Sequence, residues 1–162
     1  ITNSWGYTKD GWEDRIKTML TLPDAQMNQI TSYLATHFPV KPVPGAVIWL
    51  FESSVWFFNA DAFRRRAREI IEQAGDVRWF LLDAEAMTQA DADAVEALYE
   101  LKRNLDERGI TLLVAGGHGK FREALQRSGL VKKIGPDRIF GSPEQAVDAI
   151  ERWRQGGPAT LA

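Results

Sequence analysis

The sequence predicts an α/β fold: a small, mainly parallel sheet with helices packed on it, preceded by an N-terminal α-helical hairpin. Short continuous apolar runs at Ala46–Phe51, Val77–Leu82 and Ile110–Ala115 read as strands covered on both faces, because a half-exposed strand would alternate. Between them lie stretches with the apolar period of helices. A stiff segment, Pro39-Val40-Lys41-Pro42-Val43-Pro44-Gly45, divides this alternating region from a purely helical start. Strands and helices that alternate in this way favour a parallel sheet.

The expected organisation is a hairpin over residues 1–38, a Pro-rich linker over 39–45, an α/β domain over 46–155 and a flexible tail over 156–162. In the hairpin, Trp12, Ile16, Met19 and Leu20 share one helical face, and Met27, Ile30, Leu34 and Phe38 share a second. Pro23 suits the opening turn of the second helix. Such a pair is too short to stand alone and is read as an accessory. In the larger part, Val55-Trp56-Phe57-Phe58 is a second apolar run with strand character. A helix over Ala60–Gln73 buries Phe63, Ala67, Ile70 and Ile71. Thr88-Gln89-Ala90-Asp91 resembles a capping box opening a long helix with core face Val95, Leu98, Leu101 and Leu105, closed by Gly109. Gly116-Gly117 leads to a helix through Phe121, Ala124 and Leu125, and Arg138-Ile139-Phe140 is a short strand. Ser142-Pro143-Glu144-Gln145 starts a last helix that buries Ala146, Ile150 and Trp153.

Composition narrows the function. An apolar fraction of 44% is too high for disorder, and a net charge of −2 lacks the basic excess of a nucleic-acid binder. With no cysteine, the chain has no disulfide, thiolate nucleophile or C-x-x-C-H haem attachment. Only His37 and His118 could supply imidazole, so no metal site and no cofactor are expected. No apolar run reaches the roughly 18 residues of a membrane helix. The chain begins at Ile1 without a visible signal peptide, which suggests a processed chain or a piece of something larger.

Four groups of residues have chemistry to weigh. Glu52 and Asp83 each follow a predicted strand, where parallel sheets place their ligands. They could hold magnesium beside a phospho-acceptor Asp83, as in a receiver domain, or simply satisfy backbone donors in turns. Gly116-Gly117-His118-Gly119-Lys120 could cradle an anion at a helix start, or could be a tight turn. Arg64-Arg65-Arg66, with Arg68, could meet anionic lipid headgroups or an acidic partner, or form a solvated face balanced by Asp61, Glu69 and Glu72. Trp56-Phe57-Phe58 puts at least one aromatic outward, either in edge packing or on a docking surface. No serine or histidine is placed for nucleophilic catalysis, so the chain is not expected to be an enzyme.

Residues from Pro44 to about Trp153 resemble a STAS domain of the sulfate-permease-type (SulP) anion transporter and anti-sigma-factor antagonist superfamily. The resemblance is carried by Pro44-Gly45-Ala46-Val47-Ile48-Trp49-Leu50-Phe51, by Val55-Trp56-Phe57-Phe58-Asn59-Ala60, by Leu82-Asp83-Ala84-Glu85-Ala86-Met87-Thr88 and by Gly109–Ala115. It implies a small sheet with helices mostly to one side and a non-enzymatic regulatory role on the cytoplasmic face of a transporter. The implied partners are another protein or the transporter's transmembrane part. The anti-sigma relatives are switched by phosphorylation of a Ser or Thr following an Asp, whereas this chain has Asp91-Ala92, so that switch is missing. The implied switch region is Asp83, Thr88, Asp91, Ala92 and Asp93, with Thr88 the nearest hydroxyl and Asp93 a fixed charge. Guanine-nucleotide binding in some members makes Phe57, Phe58, Asn59, Gly116, Gly117 and Lys120 candidate ligand-loop residues.

The hairpin is similar to something else. Gly11-Trp12-Glu13 through Met19, and Tyr33-Leu34-Ala35-Thr36-His37-Phe38-Pro39, are similar to the C-terminal helices of small c-type cytochrome domains, without the haem motif. The two resemblances imply different compartments. Either the hairpin likeness is fortuitous or the chain joins pieces of different origin, with a recombined or engineered seam at Pro39–Pro44.

Overall fold

The computed structural model describes Lys17, residues 23–37 and residues 43–156, with only the helical backbone for 33–37. The chain divides into two units with their boundary between Pro42 and Val43. The predicted first hairpin helix (apart from helical Lys17), residues 39–42 of the linker and the tail beyond Gly156 lie outside the described residues.

In the first unit, helix α1 runs Asp24–His37. The Met27 N–H donates to the carbonyl of Pro23 (3.0 Å), so the proline opens the helix as expected. Of the predicted stripe, Met27 is buried as expected and Ile30 is not, while the side chains of Leu34 and Phe38 lie outside the described residues. Met27 and Thr31 are buried, whereas Ile30 is 40% exposed. Thr31 tolerates burial because its hydroxyl donates to the Met27 carbonyl at 2.8 Å.

In the second unit, β1 (Ala46–Leu50), β2 (Trp79–Asp83), β3 (Thr111–Ala115) and β4 (Ile139–Phe140) form one sheet in the order β1-β2-β3-β4. Every adjacent pair is parallel. The helices are α2 (Ala60–Gln73), α3 (Ala92–Glu107), α4 (Lys120–Arg127), α5 (Leu130–Ile134) and α6 (Pro143–Arg154), with a 3-10 turn at Pro136–Arg138.

Register explains why the strands read as continuous apolar runs. Val47, Phe80 and Leu112 are aligned, as are Trp49, Leu82 and Val114; all six join one core with Phe63 and Ile70 of α2 and Leu98, Leu101 and Leu105 of α3. Phe121 of α4 and Leu130 of α5 belong to the same core. The intervening residues Ile48, Leu81 and Leu113 are also buried, on the opposite face of the sheet. There α6 packs across β2, β3 and β4 and buries Ala146, Ala149 and Ile150. Among the described residues of this unit, four helices thus cover one face and a single helix the other.

Four local expectations need correction. Val55–Phe58 is not a strand: Asn59 Oδ1 accepts the Trp56 N–H (2.7 Å) and Asn59 Nδ2 donates to the Ser54 carbonyl (3.1 Å), folding the run into a turn before α2. The cap of α3 is Asp91 itself, whose Oδ1 accepts the Ala94 N–H at 2.8 Å, so Thr88 is not the cap. The core face of α3 is Ala94, Ala97, Leu98, Leu101 and Leu105, with Val95 only half-buried. Trp153 is half-buried, tilted against Phe140 with centroids 6.4 Å apart.

Candidate functional site

The loops that leave the carboxyl ends of β1, β2 and β3 meet at one edge of the sheet, where parallel α/β domains place their sites. The loops after β1 and β2 are fastened by side chains. Ser54, buried, accepts the N–H groups of Thr88 (3.1 Å) and Gln89 (3.4 Å), and its hydroxyl lies 3.3 Å from that of Thr88. Asp91 adds a second tie: while Oδ1 caps α3, Oδ2 accepts the Phe57 N–H at 2.9 Å.

These ties leave two rings in solvent. Phe57 and Phe58 are 73% and 71% exposed. They meet edge to face with centroids 5.4 Å apart. An asparagine clamp, a serine clasp and an aspartate cap therefore hold the backbone from which the aromatic pair projects. Replacing Asp91 with Ala removes both of its bonds; it is expected to cost about 1–2 kcal/mol of stability, whereas Asn keeps most of the cap. Urea unfolding of the two variants checks this, and equal losses would refute the capping role.

Asp83 sits at the end of β2 with its side chain wholly buried. Its Oδ1 accepts the Glu85 N–H at 3.0 Å, a turn-fixing bond. Such an enclosed carboxylate leaves no approach for a phosphodonor, which corrects the receiver-like expectation, and Glu52 lies exposed in the loop after β1. Among the described residues, no group of three or more His, Asp or Glu could hold a metal ion.

Gly116 and Gly117 adopt φ of +72° and +70°. Arg122, which the sequence reading missed, fixes their carbonyls: Nε donates to Gly117 O (2.9 Å), and an Nη donates to Gly116 O (3.1 Å) and Phe140 O (2.7 Å). The His118 N–H is directed to Met87 O (3.4 Å), and the Phe121 N–H to His118 O (3.0 Å) and Thr88 O (3.2 Å). Lys120 is exposed. In the sheet order, β2 separates the strands that lead to the Phe57–Asn59 and Gly116–Lys120 loops.

Glu85 is exposed beside this turn, yet its pKa is raised from the ordinary value, by partial desolvation first and then by the charges of Asp83 and Glu144, with His118 opposing. A carboxyl group with a raised pKa in the fold retains its proton there longer than in the unfolded chain. Its contribution is therefore greatest below the unfolded pKa and falls as pH rises toward the folded one. The Glu85→Gln variant is expected to be slightly more stable than the parent at neutral pH and equal to it in acid. Denaturation at both pH values tests the sign, and a loss at neutral pH would contradict it.

Of the basic cluster, Arg64 is drawn inward, pairing with Asp61 (2.9 Å) and reaching Glu100 of α3 (3.0 Å). Arg66 pairs with Glu69 at 3.0 Å, while Arg65 and Arg68 are exposed. A lipid contact through Arg64, Arg65 and Arg66 together does not fit this arrangement, because Arg64 is committed between α2 and α3.

Among the described residues, a small parallel sheet, flanked four helices to one and with its loops fastened at a helix cap, defines an α/β module of the kind in which a parallel sheet gathers its loops at one end. The chain belongs to the STAS domain family, whose model matches residues 37–146. It is 40% identical over 113 residues to a probable sulfate transporter of Mycobacterium tuberculosis, a match covering 69% of this chain and 20% of that protein. Its fold matches the SulP transporter STAS domain of Vibrio cholerae with a TM-score of 0.61 at 21% identity, covering 79% of this chain and 98% of that one. It matches murine solute carrier 26 family member A9, an anion transporter, in its inward-facing state with a TM-score of 0.62 at 18% identity, covering 72% of this chain and 19% of that one. The chain spans about a fifth of the length of the curated relatives it matches. The family match begins at residue 37, so nearly all of the predicted hairpin lies outside it. Among the described residues, no helix is long and apolar enough to cross a membrane.

Proposed function

We propose that this chain is the regulatory STAS domain of a SulP-type anion transporter, working without catalysis on the cytoplasmic face by docking to protein. The observation that carries this reading is the exposed Phe57–Phe58 pair, held by Asp91 at the same helix start that is a phosphorylation switch in the anti-sigma relatives. Here that start has Ala92, which cannot accept a phosphoryl group, and Asp93, a permanent charge. The phosphorylation switch that the resemblance implies is therefore missing at this position.

The test is anion uptake by the full transporter polypeptide with Phe57 and Phe58 both replaced by Ser. Uptake is expected to fall severalfold while domain stability changes by less than about 0.5 kcal/mol, since the rings are exposed. Unchanged uptake would refute docking through this pair. An amide-resolved NMR titration with guanosine diphosphate supplies the competing outcome. Shifts at both Phe57–Asn59 and Gly116–Lys120 would make the edge a nucleotide sensor instead.

A further inference from the structure

Arg64 reaches from α2 to α3 with one of its donors unaccepted. Its Nη1 donates to Asp61 Oδ1 at 2.9 Å. Its Nε lies 3.0 Å from Glu100 Oε2, so the two charges are paired. That oxygen stands off the line of the Nε–H bond, and the buried Nε has no hydrogen-bond acceptor among the described residues. Native structures rarely leave a buried donor in this condition, because it has lost its water and gained nothing in return. The same place has room for a remedy. A cavity of about 10 Å³ is lined by Arg64, Ala67, Ala97, Glu100, Leu101 and Asn104. Ala67 and Ala97 are buried, and their short side chains leave that space between the helices. Its size meets the lower end of the roughly 10–15 Å³ that one water needs. Arg64, Glu100 and Asn104 bring hydrogen-bonding groups to it, and the half-buried Asn104 side chain makes no hydrogen bond among the described residues.

We propose that this cavity is a binding site for one water molecule, which accepts the Arg64 Nε–H and donates to the Glu100 carboxylate and the Asn104 side-chain carbonyl. Three bonds of this kind are what a buried water ordinarily makes, whereas a cavity with a wholly apolar lining stays dry. The volume excludes any larger ligand. The water converts a misaligned ion pair into a hydrogen-bonded link, and a bridge of this sort is nearly as favourable as a direct bond. It also holds the guanidinium inward, which sets Arg64 apart from the exposed Arg65 and Arg68 on the same helix. The link ties α2, which follows the Phe57–Phe58 turn, to α3, which begins at the Asp91 cap. This inference is independent of the transporter reading.

The experiment is nuclear magnetic resonance of the whole chain, recording cross-peaks from water to protein in the laboratory and rotating frames. Methyl protons do not exchange with solvent, so a cross-peak at a buried alanine reports contact with a bound water. Contacts are expected at the Ala67 and Ala97 methyls and at the Arg64 Nε–H, with the sign of a long-lived neighbour. In Ala97→Val the two added carbons occupy the cavity, and the contacts at Ala67 and at the Arg64 Nε–H are expected to disappear. Absence of these contacts in the parent would overturn the proposal whatever the variant does, and would mean that Glu100 turns to accept the N–H directly. Contacts of undiminished intensity in a folded Ala97→Val would put the water outside this cavity and overturn it too.

Discussion

Phe63→Ala is expected to cost about 3–5 kcal/mol, a large share of the roughly 5–15 kcal/mol that stabilises a domain of this kind. The ring is fully buried, stacks on Trp49 with centroids 4.8 Å apart and meets Phe51 edge-on at 5.1 Å. Removing it leaves a void between the first turn of α2 and the rings of Trp49 and Phe51. Its effect should reach the loop that holds the exposed aromatic pair, since the Phe63 N–H donates to the Asn59 carbonyl (2.9 Å), and Asn59 shapes the turn that carries Phe57 and Phe58. Phe57→Ala and Phe58→Ala delete the same ring from solvent and should each cost less than about 0.5 kcal/mol. Thermal unfolding separates the cases, with a drop on the order of 10–20 °C for Phe63→Ala and almost none for the other two. A loss below about 1.5 kcal/mol at Phe63 would show that the core can collapse around the gap.

That contrast marks what a sequence makes legible. Phe63 belongs to a set with Ala67, Ile70 and Ile71 that repeats along a helix, and such a pattern is local. The strands at Ala46–Leu50 and Thr111–Ala115 were legible for the same reason, as short apolar runs covered on both faces. Val55–Phe58 has the same composition as those runs, but its fate is decided by Asn59 wrapping back onto Trp56 and Ser54. The α3 cap was ambiguous because Thr88 and Asp91 both suit the position, and only the bond to Ala94 chooses between them. Helix α5 escaped notice because five residues between Gly129 and Gly135 are too short to show a period. At the candidate site, Asp83, Asp91 and the glycine pair could be found from their places after strands. Ser54 could not, since its partner Thr88 lies 34 positions away, and neither could the bond from Arg122 to Phe140, 18 positions on. Long-range hydrogen bonds leave no periodic trace in a sequence.

Gly116→Ala should destabilise the domain by about 2–4 kcal/mol, through two separable terms. One is conformational: φ is +72°, a region where a Cβ costs about 1–2 kcal/mol. The other is contact. A Cβ at Gly116 would lie 2.7 Å from Glu85 Cγ, 2.9 Å from Glu85 N and 3.0 Å from Glu85 Cα. The side chain can swing away, but the backbone atoms are held by the bond from the Glu85 N–H to Asp83, so relief requires breaking the turn at the end of β2. Gly109 isolates the first term, since its φ is +69° and nothing lies within 4 Å of its would-be Cβ. Gly109→Ala should therefore cost only about 1 kcal/mol. Urea midpoints of the two variants measure the difference, and the Glu85 amide resonance reports whether the turn has moved. Equal losses would mean that the approach of the β3–α4 loop to Glu85 adds nothing to its conformational cost. A larger loss at Gly116, with a displaced Glu85 signal, would show that this glycine is required by contact between the loops that follow β2 and β3.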